Sequence, residues 1–271
     1  MPKNRIHKMG SALRKNGVVA PDNWETYLLH QTEIVDELVK QLGDFAESNS
    51  VVLLGRETME KNIFPGSGAY MVSGRPKTKI SLKEKLRRMP KTPLERIHDV
   101  AGARLDCDVT LTQQQRIADE LRDLFIECGA KATDEEKSIR DLRDGSHSGY
   151  RAIHLRLEFP AGFAEVQVRT ALQSLWANVY ESAADIFDRQ IRYLHEENQI
   201  PLPLIARRTV ELLHVLSTHI SQVEKDRDEC SSVRPSDDLD YNMKHHQKII
   251  FELESNIQTV LDELEELFRK V

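Results

Sequence analysis

Residues 150–170, YRAIHLRLEFPAGFAEVQVRT, contain two stretches in which apolar and polar residues alternate, separated by Pro-Ala-Gly. Alternation with a period of two is typical of half-buried β-strands. The pattern predicts strands over 150–159 and 163–169. Because the segment between them is short and contains glycine, a hairpin-type connection is expected, so the two strands are predicted to be antiparallel neighbours.

Polar side chains share one face of the second predicted strand. Glu165, Gln167 and Arg169 lie on the same side, since neighbouring residues of a strand point to opposite faces. This face is either a functional site or a solvent-exposed surface with a cross-strand ion pair. His154 on the first strand is likewise either a hydrogen-bonded core residue or part of a site.

The rest of the chain alternates between strand and helix patterns before residue 170 and is helical after it. Predicted upstream are helices at 24–45, 81–89 and 112–128, strands at 69–72 and 100–109, and a glycine turn at Gly74. Predicted downstream are helices at 171–187, 204–229 and 239–270, with hinges at 196–203 and 233–238. The fold class is therefore α/β (α+β), a mixed β-sheet flanked by helices, with long C-terminal helices that pack either on the core or on another subunit.

Length and composition predict a globular protein with one sizeable core. The chain has 271 residues, of which 39% are hydrophobic and 30% charged. Its apolar runs, such as 51–54, are far shorter than the roughly 20 residues needed to cross a bilayer. The basic segment 1–17 lacks the apolar stretch of a secretory signal, so a cytoplasmic protein is expected. A net charge of −6 argues against a protein that coats nucleic acid.

The cysteines indicate reduced thiols. Cys107, Cys128 and Cys230 are odd in number and widely spaced. Neither a disulfide framework nor a zinc cluster fits that arrangement, and a small buried hydrophobe is the default role.

Basic residues are concentrated between residues 75 and 91. The stretch SGRPK at 73–77 is followed by Ser81, Lys85, Arg87 and Arg88. Arginine binds phosphate oxygens in a bidentate fork and lysine supplies a point charge, so this array suits a polyphosphate. The alternative is a solvated basic face without a ligand.

Asp99 stands directly before the predicted strand 100–109, in HDVAGARL at 98–105. Mg²⁺ typically takes one or two protein carboxylates together with substrate phosphates, so a single acid at a strand end is sufficient for a magnesium site. The alternative is a turn acid or a helix N-cap.

Four stretches in this order resemble the RelA/SpoT synthetase family over about 24–187: SGRPK at 73–77, the Asp99 strand, SGYRAIH at 148–154 and EVQVRT at 165–170. No hydrolase or regulatory region is visible, so the chain is similar to the stand-alone small alarmone synthetases. The resemblance implies a nucleotidyltransferase-like core in a three-part chain: a basic N-terminal segment (1–20), a synthetase domain (21–195) and a C-terminal helical extension (196–271).

The resemblance also implies an activity, the ATP-dependent transfer of the β,γ-diphosphate of ATP to the 3′-hydroxyl of GDP or GTP with Mg²⁺. Asp99 matches the magnesium ligand, and Glu165 matches the acid that helps to hold the metal or acts as general base. The residues that match ATP contacts are Arg75, Lys77, Ser81, Lys85, Arg88 and Arg104. The implied acceptor contacts are Tyr150, on which the base stacks, Arg151, His154, Gln167 and Arg169.

Three departures from the family pattern lie near the implied acceptor site. Ser146 stands where a lysine is usual, Ser174 where small synthetases commonly have asparagine, and Tyr180-Glu181 where relatives often have Glu-His. They favour, as an alternative, a toxin-like member that modifies the 3′-terminal adenosine of tRNA or makes adenosine alarmones. In that case the basic N-terminal segment is expected either to grip the tRNA acceptor stem or to be a disordered, solubilising tail, and an antitoxin is a further possible partner.

A third possibility is a catalytically silent protein that binds a nucleotide or a partner. The presence of both Asp99 and Glu165 argues against it, because a silent protein has no chemical need for either acid. The apolar stripe of the C-terminal helices is compatible with a homo-oligomer.

Overall fold

The computed structural model describes residues 1–48, 70–132, 138–146, 148–159, 162–187, 191, 203–232 and 239–270. Helices in these ranges are α1 (Lys3–Arg14), α2 (Pro21–Ser48), α3 (Lys79–Arg88), α4 (Leu111–Glu127), α5 (Ala171–Phe187), α6 (Leu204–Ser232) and α7 (Leu239–Arg269), with a 3₁₀ turn at Leu94–Arg96. The strands are β1 (Tyr70–Pro76), β2 (Ala101–Cys107), β3 (Lys131–Ala132), β4 (Ile139–Asp141), β5 (Ile153–Phe159) and β6 (Gly162–Thr170). The predicted α+β class is confirmed.

The strands form one mixed sheet in the order β1-β2-β6-β5-β3, with β4 also paired to β5. β5 and β6 are antiparallel, as their alternating pattern predicted. Pro160 and Ala161, which connect them, lie outside the described residues. β6 pairs in parallel with β2 on its other side, and β1 closes that end of the sheet antiparallel to β2.

One face of the sheet carries the main hydrophobic core. The apolar residues of β2, β5 and β6, among them Leu105, Leu155 and Val166, pack against α2 and α4 and are fully buried. Helix α2 supplies Leu38 and Leu42, and α4 supplies Leu121. The helical periodicity of 24–45 and 112–128 therefore marked the faces that cover the sheet.

The predicted glycine turn at Gly74 is wrong. Gly74 lies inside β1, opposite Ala103 of β2. A Cβ atom at this position would stand 2.6 Å from Val39 Cγ2 and 2.8 Å from Val35 Cγ1 of α2. The residue is glycine because the helix approaches the strand closely, and no turn is required.

Helix α1 falls in the basic N-terminal segment, and the alternative of a disordered tail is wrong for its residues. Met9 and Leu13 of α1 are buried in a small separate core with Leu82 and Leu86 of α3. Arg14 donates from Nε to the carbonyl oxygen of Leu86 at 2.9 Å. The N-terminal helix is thus packed on the back of the basic helix α3.

The last three helices share a second core. Trp176 of α5, Leu213 and Leu216 of α6, and Ile257 and Leu264 of α7 are buried together. The apolar stripe of the C-terminal helices was expected to pack either on the core or on another subunit. In the structure it packs within the chain. The hinge predicted at 233–238 and all but Pro203 of the hinge at 196–203 lie outside the described residues. Within the part that is described, no helix is long and apolar enough to span a membrane.

Candidate functional site

The face of the sheet opposite the main core is polar. The pairing sets Gly102, Glu165 and Arg156 side by side on β2, β6 and β5. The next row holds Arg104, Gln167 and His154. Directly paired residues point to the same face, so charged and polar groups from three strands are gathered here.

Asp99 stands just before β2 and is paired with two lysines. Its Oδ2 atom is 2.8 Å from Lys77 Nζ, and its Oδ1 atom is 2.7 Å from Lys85 Nζ. Burial raises the pKa of Asp99, but the two ammonium groups outweigh that effect and bring it down to about 2. The carboxylate is therefore ionised at neutral pH.

Lys85 reaches Asp99 because of where α3 begins. Thr78 is the N-cap of this helix and accepts a hydrogen bond from the backbone N–H of Ser81 at 3.3 Å. Leu82 and Leu86 of α3 face the core shared with α1, and Lys85 projects from the helix to Asp99. The cap and the apolar face of α3 together set the direction of the lysine.

Glu165 is only 8% exposed. His154 Nδ1 lies 3.3 Å from its Oε1 atom, and Arg156 Nε lies 3.6 Å from its Oε2 atom. Burial raises the pKa of Glu165, but His154 and the charge of Lys85 lower it, so the net direction is downward. Asp99 also acts on this pKa, upward, and Lys85 acts on both acids. The two carboxylates therefore belong to one electrostatic cluster.

A chain of hydrogen bonds leads from Glu165 away from the lysines. His154 Nε2 is 3.0 Å from the Tyr150 hydroxyl, and that hydroxyl accepts a hydrogen bond from Arg169 Nη2 at 3.0 Å. Arg169 is buried, and its guanidinium carbon lies 5.2 Å from the centre of the Tyr150 ring. Gln167 accepts a further hydrogen bond from Arg169. Four of the five implied acceptor contacts are thus neighbours.

Arg151, the fifth, makes its contacts elsewhere. Its Nε atom donates to Ser217 Oγ of α6 at 3.3 Å, and its Nη1 atom donates to the carbonyl oxygen of Arg143. Ser217 in turn donates to the carbonyl oxygen of Gly149 at 2.6 Å. Arg151 ties the loop before β5 to the C-terminal helices, and its implied role at the acceptor stays a prediction.

Only some of the implied ATP contacts lie next to Asp99. Lys77 and Lys85 touch it, whereas Arg75 is exposed on β1, opposite Gly102 in the row of Glu165. Ser81 lies in the first turn of α3, and Arg88 is exposed at its end. The implied role of these residues in nucleotide binding stays a prediction.

Arg104 is paired across the site with helix α5. Its Nη2 atom is 3.0 Å from Oε1 of Glu181, and both side chains are partly exposed. Glu181 and Arg156 are charged members of the site that the sequence-based set omits. Arg156 shares the period-two face of His154 and was detectable by that signal, but the contact between α5 and β2 has no local sequence signal.

The donor set suits a divalent ion held jointly with a substrate. No cluster of three or more histidine, cysteine, aspartate or glutamate side chains able to hold a metal occurs among the described residues. Asp99 and Glu165 provide two carboxylates. Mg²⁺ keeps several waters and takes few protein ligands when substrate phosphates supply the rest, so these residues fit it.

Comparison with known proteins supports the fold and the resemblance. The family model described as "Region found in RelA / SpoT proteins" matches residues 74–190. The uncharacterized protein Rv1366 of Mycobacterium tuberculosis is 35% identical over 233 residues, 85% of this chain and 77% of that protein. The GTP pyrophosphokinase YjbM of Bacillus subtilis is 28% identical over 169 residues, 59% of this chain and 72% of that protein.

Solved structures show the same fold. Small alarmone synthetase 1 from Bacillus subtilis bound to its product pppGpp superimposes with a TM-score of 0.51 at 22% identity, over 77% of this chain and 96% of that chain. The same enzyme in another crystal structure gives a TM-score of 0.50 at 23% identity, over 77% and 95% of the two chains.

Proposed function

The chain belongs to the RelA/SpoT family of pyrophosphokinase-type synthetases, and we propose that it transfers the β,γ-diphosphate of ATP to the 3′-hydroxyl of GDP or GTP. The observation that carries the proposal is the Asp99 cluster. An ionised carboxylate lies between Lys77 and Lys85 and interacts electrostatically with Glu165 on a neighbouring strand. Cations and two acids in one place are what a magnesium–triphosphate complex and a hydroxyl nucleophile require.

In this proposal the residues around Asp99 bind the donor. Lys77 and Lys85 turn from Asp99 toward the phosphates of ATP, and Arg75, Ser81 and Arg88 extend the binding surface along β1 and α3. Magnesium, held by Asp99, would neutralise charge that develops on the transferred group. Positioning and charge neutralisation supply most of the catalysis in phosphoryl transfer.

Glu165 is proposed as the general base. Its carboxylate takes the proton of the acceptor 3′-hydroxyl as the oxygen forms a bond to the β-phosphorus of ATP. The bond between that phosphorus and the oxygen bridging to the α-phosphate breaks, and AMP leaves. The lowered pKa keeps Glu165 ionised and ready to accept a proton.

Tyr150, Gln167 and Arg169 are proposed to hold the acceptor. The resemblance implies Arg104 as an ATP contact, but Arg104 lies in one row with Gln167 and His154, so we propose that it contacts the acceptor as well. The Arg169 guanidinium lies over the Tyr150 ring. The acceptor base is proposed to stack on this ring. We further propose that residues 21–195 are the synthetase unit, with 1–20 and 196–271 as extensions. The packing of α1 on α3 and of α6 on α5 supports a close attachment of both extensions.

A second acceptor class has support of its own. Ser146 provides no cation where the family usually has lysine, and Arg104 is already paired with Glu181. Both features weaken the binding of acceptor phosphates, which favours the 3′-terminal adenosine of tRNA or an adenosine nucleotide.

Labelled ATP distinguishes these acceptors. The protein is incubated with Mg²⁺, ATP labelled at the γ-phosphate, and one of GDP, GTP, unlabelled ATP or deacylated tRNA. Label in guanosine tetra- or pentaphosphate supports the main proposal, and label in tRNA or an adenosine product supports the second. Magnesium-dependent ATP binding without a labelled product on any acceptor would contradict both and indicate a silent protein.

Replacement of Asp99 tests the donor site. We expect Asp99→Asn to lower kcat about 100-fold or more, because a group central to the neutralisation of transition-state charge is lost. Asp44→Asn makes the same chemical change at an exposed position on α2 and should leave the rate unchanged. Circular dichroism checks that both variants are folded. A folded Asp99→Asn protein that keeps more than about a tenth of the rate contradicts the metal role.

A further inference from the structure

From the hydrogen-bond chain on the polar face we infer that His154 is a positioning residue for Glu165, held with its proton on Nδ1 by the Tyr150 hydroxyl. The inference rests on the proposed function in one respect, that Glu165 accepts the proton of the acceptor. The tautomer itself is a property of the protein and can be measured without any reaction.

The direction of each hydrogen bond follows from what the groups can donate. The Arg169 guanidinium is always protonated and contains no atom that can accept a hydrogen bond. Its Nη2 atom therefore donates to the Tyr150 hydroxyl oxygen at 3.0 Å. That hydroxyl has a single hydrogen of its own. The Tyr150 hydrogen points to His154 Nε2, which lies 3.0 Å from the hydroxyl oxygen. In this arrangement Nε2 accepts the hydrogen bond and carries no proton. His154 Nδ1 consequently carries the proton, 3.3 Å from Oε1 of Glu165.

The opposite arrangement leaves polar atoms unsatisfied. With a proton on Nε2, two donors would point at the Tyr150 oxygen and the tyrosine hydrogen would lack this partner. Burial raises the pKa of Tyr150 although Arg169 lowers it, so the hydroxyl keeps its hydrogen. A buried donor or acceptor without a partner is costly, which selects the arrangement with Nδ1–H.

The consequence for Glu165 is a fixed orientation. A free glutamate side chain samples several rotamers, but here His154 holds Oε1 while Arg156 lies 3.6 Å from Oε2. These two contacts restrict the side-chain conformations that are open to Glu165. Arg169 and Tyr150 act one step further away, because they determine which nitrogen of His154 is free to donate.

The tautomer is measured by NMR on the full-length protein with ¹⁵N-labelled histidine. Two-bond ¹H–¹⁵N correlations show which ring nitrogen carries the proton, at about pH 8, above the ordinary histidine pKa of about 6.5. The chain has 10 histidines, so a spectrum of His154→Gln identifies the signals of His154. We expect the Nδ1–H form, whereas histidine in water prefers Nε2–H. Any form with a proton on Nε2 overturns the inference.

Kinetics test the positioning role. Tyr150→Phe removes only the hydroxyl and keeps the ring for stacking, so we expect kcat to fall about 10- to 100-fold with KM for ATP unchanged. Tyr180→Phe is the matched control. It removes a buried hydroxyl that donates to the carbonyl oxygen of Ile191 at 3.0 Å, and it should keep the wild-type kcat.

The outcomes separate this inference from the proposed function. Equal kcat values for the Tyr150→Phe and Tyr180→Phe variants overturn the positioning role, even if His154 has the expected tautomer. Absence of transfer to every acceptor by the wild-type protein would instead contradict the proposed function, and the NMR result would still decide the tautomer.

Discussion

The Arg104–Glu181 ion pair places a carboxylate on the polar face of the sheet, where the proposed acceptor carries phosphates. For an acceptor bound as proposed, Glu181 would be unfavourable in two ways. It would keep Arg104 from the phosphates, and its own charge would repel them. This single residue therefore bears on the choice between a guanosine nucleotide and a nucleic-acid end.

We expect Glu181→Gln to lower KM for GDP or GTP about two- to fivefold with little change in kcat, because a partly exposed ion pair is worth about 1 kcal/mol or less. Steady-state kinetics over a range of acceptor concentrations measure the effect. Asp185→Asn, exposed one turn further along α5, removes the same charge away from Arg104 and should leave KM unchanged. An unchanged or higher KM for Glu181→Gln would show that this carboxylate does not oppose the acceptor.

Among the helices and strands, α1 packs closely against the turn before β2 and thereby supports the proposed donor site. Gly10 of α1 is buried, and a Cβ atom there would stand 2.5 Å from Leu94 Cβ. The same helix contributes Leu13 to the core that it shares with α3, the helix that carries Lys85. A change in this packing should therefore reach the proposed donor site through α3.

Two glycine-to-alanine substitutions test this packing. Gly43→Ala in α2 meets nothing within 4 Å and should stabilise the fold by about 0.5–1 kcal/mol, since alanine favours a helix over glycine. Gly10→Ala gains the same propensity but must displace Leu94, so we expect a net loss of about 1–3 kcal/mol and a higher KM for ATP. Urea denaturation measures the free energies of unfolding. A Gly10→Ala protein as stable as Gly43→Ala would show that α1 is not tightly packed.

For the whole molecule, one buried carboxylate joins the sheet to the C-terminal helices. Glu224 of α6 is 5% exposed and accepts hydrogen bonds from Thr170 at the end of β6 and from Gln173 of α5, the latter at 3.2 Å. Burial raises the pKa of Glu224, although these hydrogen bonds and the charges of Arg151 and Arg227 lower it. The Glu224 carboxyl group therefore holds its proton more tightly in the folded protein than in the unfolded chain.

The pH dependence of stability follows from that direction. A folded-state pKa above the unfolded value means that the contribution of Glu224 is fully present below the unfolded pKa and is lost as pH rises through the folded pKa. We expect the free energy of unfolding of the wild type, relative to Glu224→Gln, to fall between about pH 5 and about pH 8. Urea denaturation at both pH values measures it. Glu211→Gln makes the same chemical change at an exposed position of the same helix and is the control. A rising difference for Glu224→Gln contradicts the raised pKa.

Local periodicity in the sequence predicted part of this fold. The period of two over 150–170 predicted β5, β6 and their antiparallel pairing, and the helical period predicted α2 and α4 to within a few residues. Helix α1 was missed because its few apolar residues are buried by elements distant in the sequence, including α3 and the 3₁₀ turn that contains Leu94. Gly74 was misplaced because glycine serves equally in a turn or at a close approach, and only the position of α2 distinguishes the two.

The sequence by itself determined which residues share one face of a strand or helix. That periodicity follows from local backbone geometry and the burial of apolar side chains. The sequence also marked Asp99 and Glu165 as acids in unusual places. Only the tertiary structure decided that β2 and β6 lie side by side in parallel, that Lys77 and Lys85 meet at Asp99, and that Glu181 reaches Arg104. These contacts join residues far apart in the chain, and their free energy depends on the packing of the whole domain, which no local pattern contains.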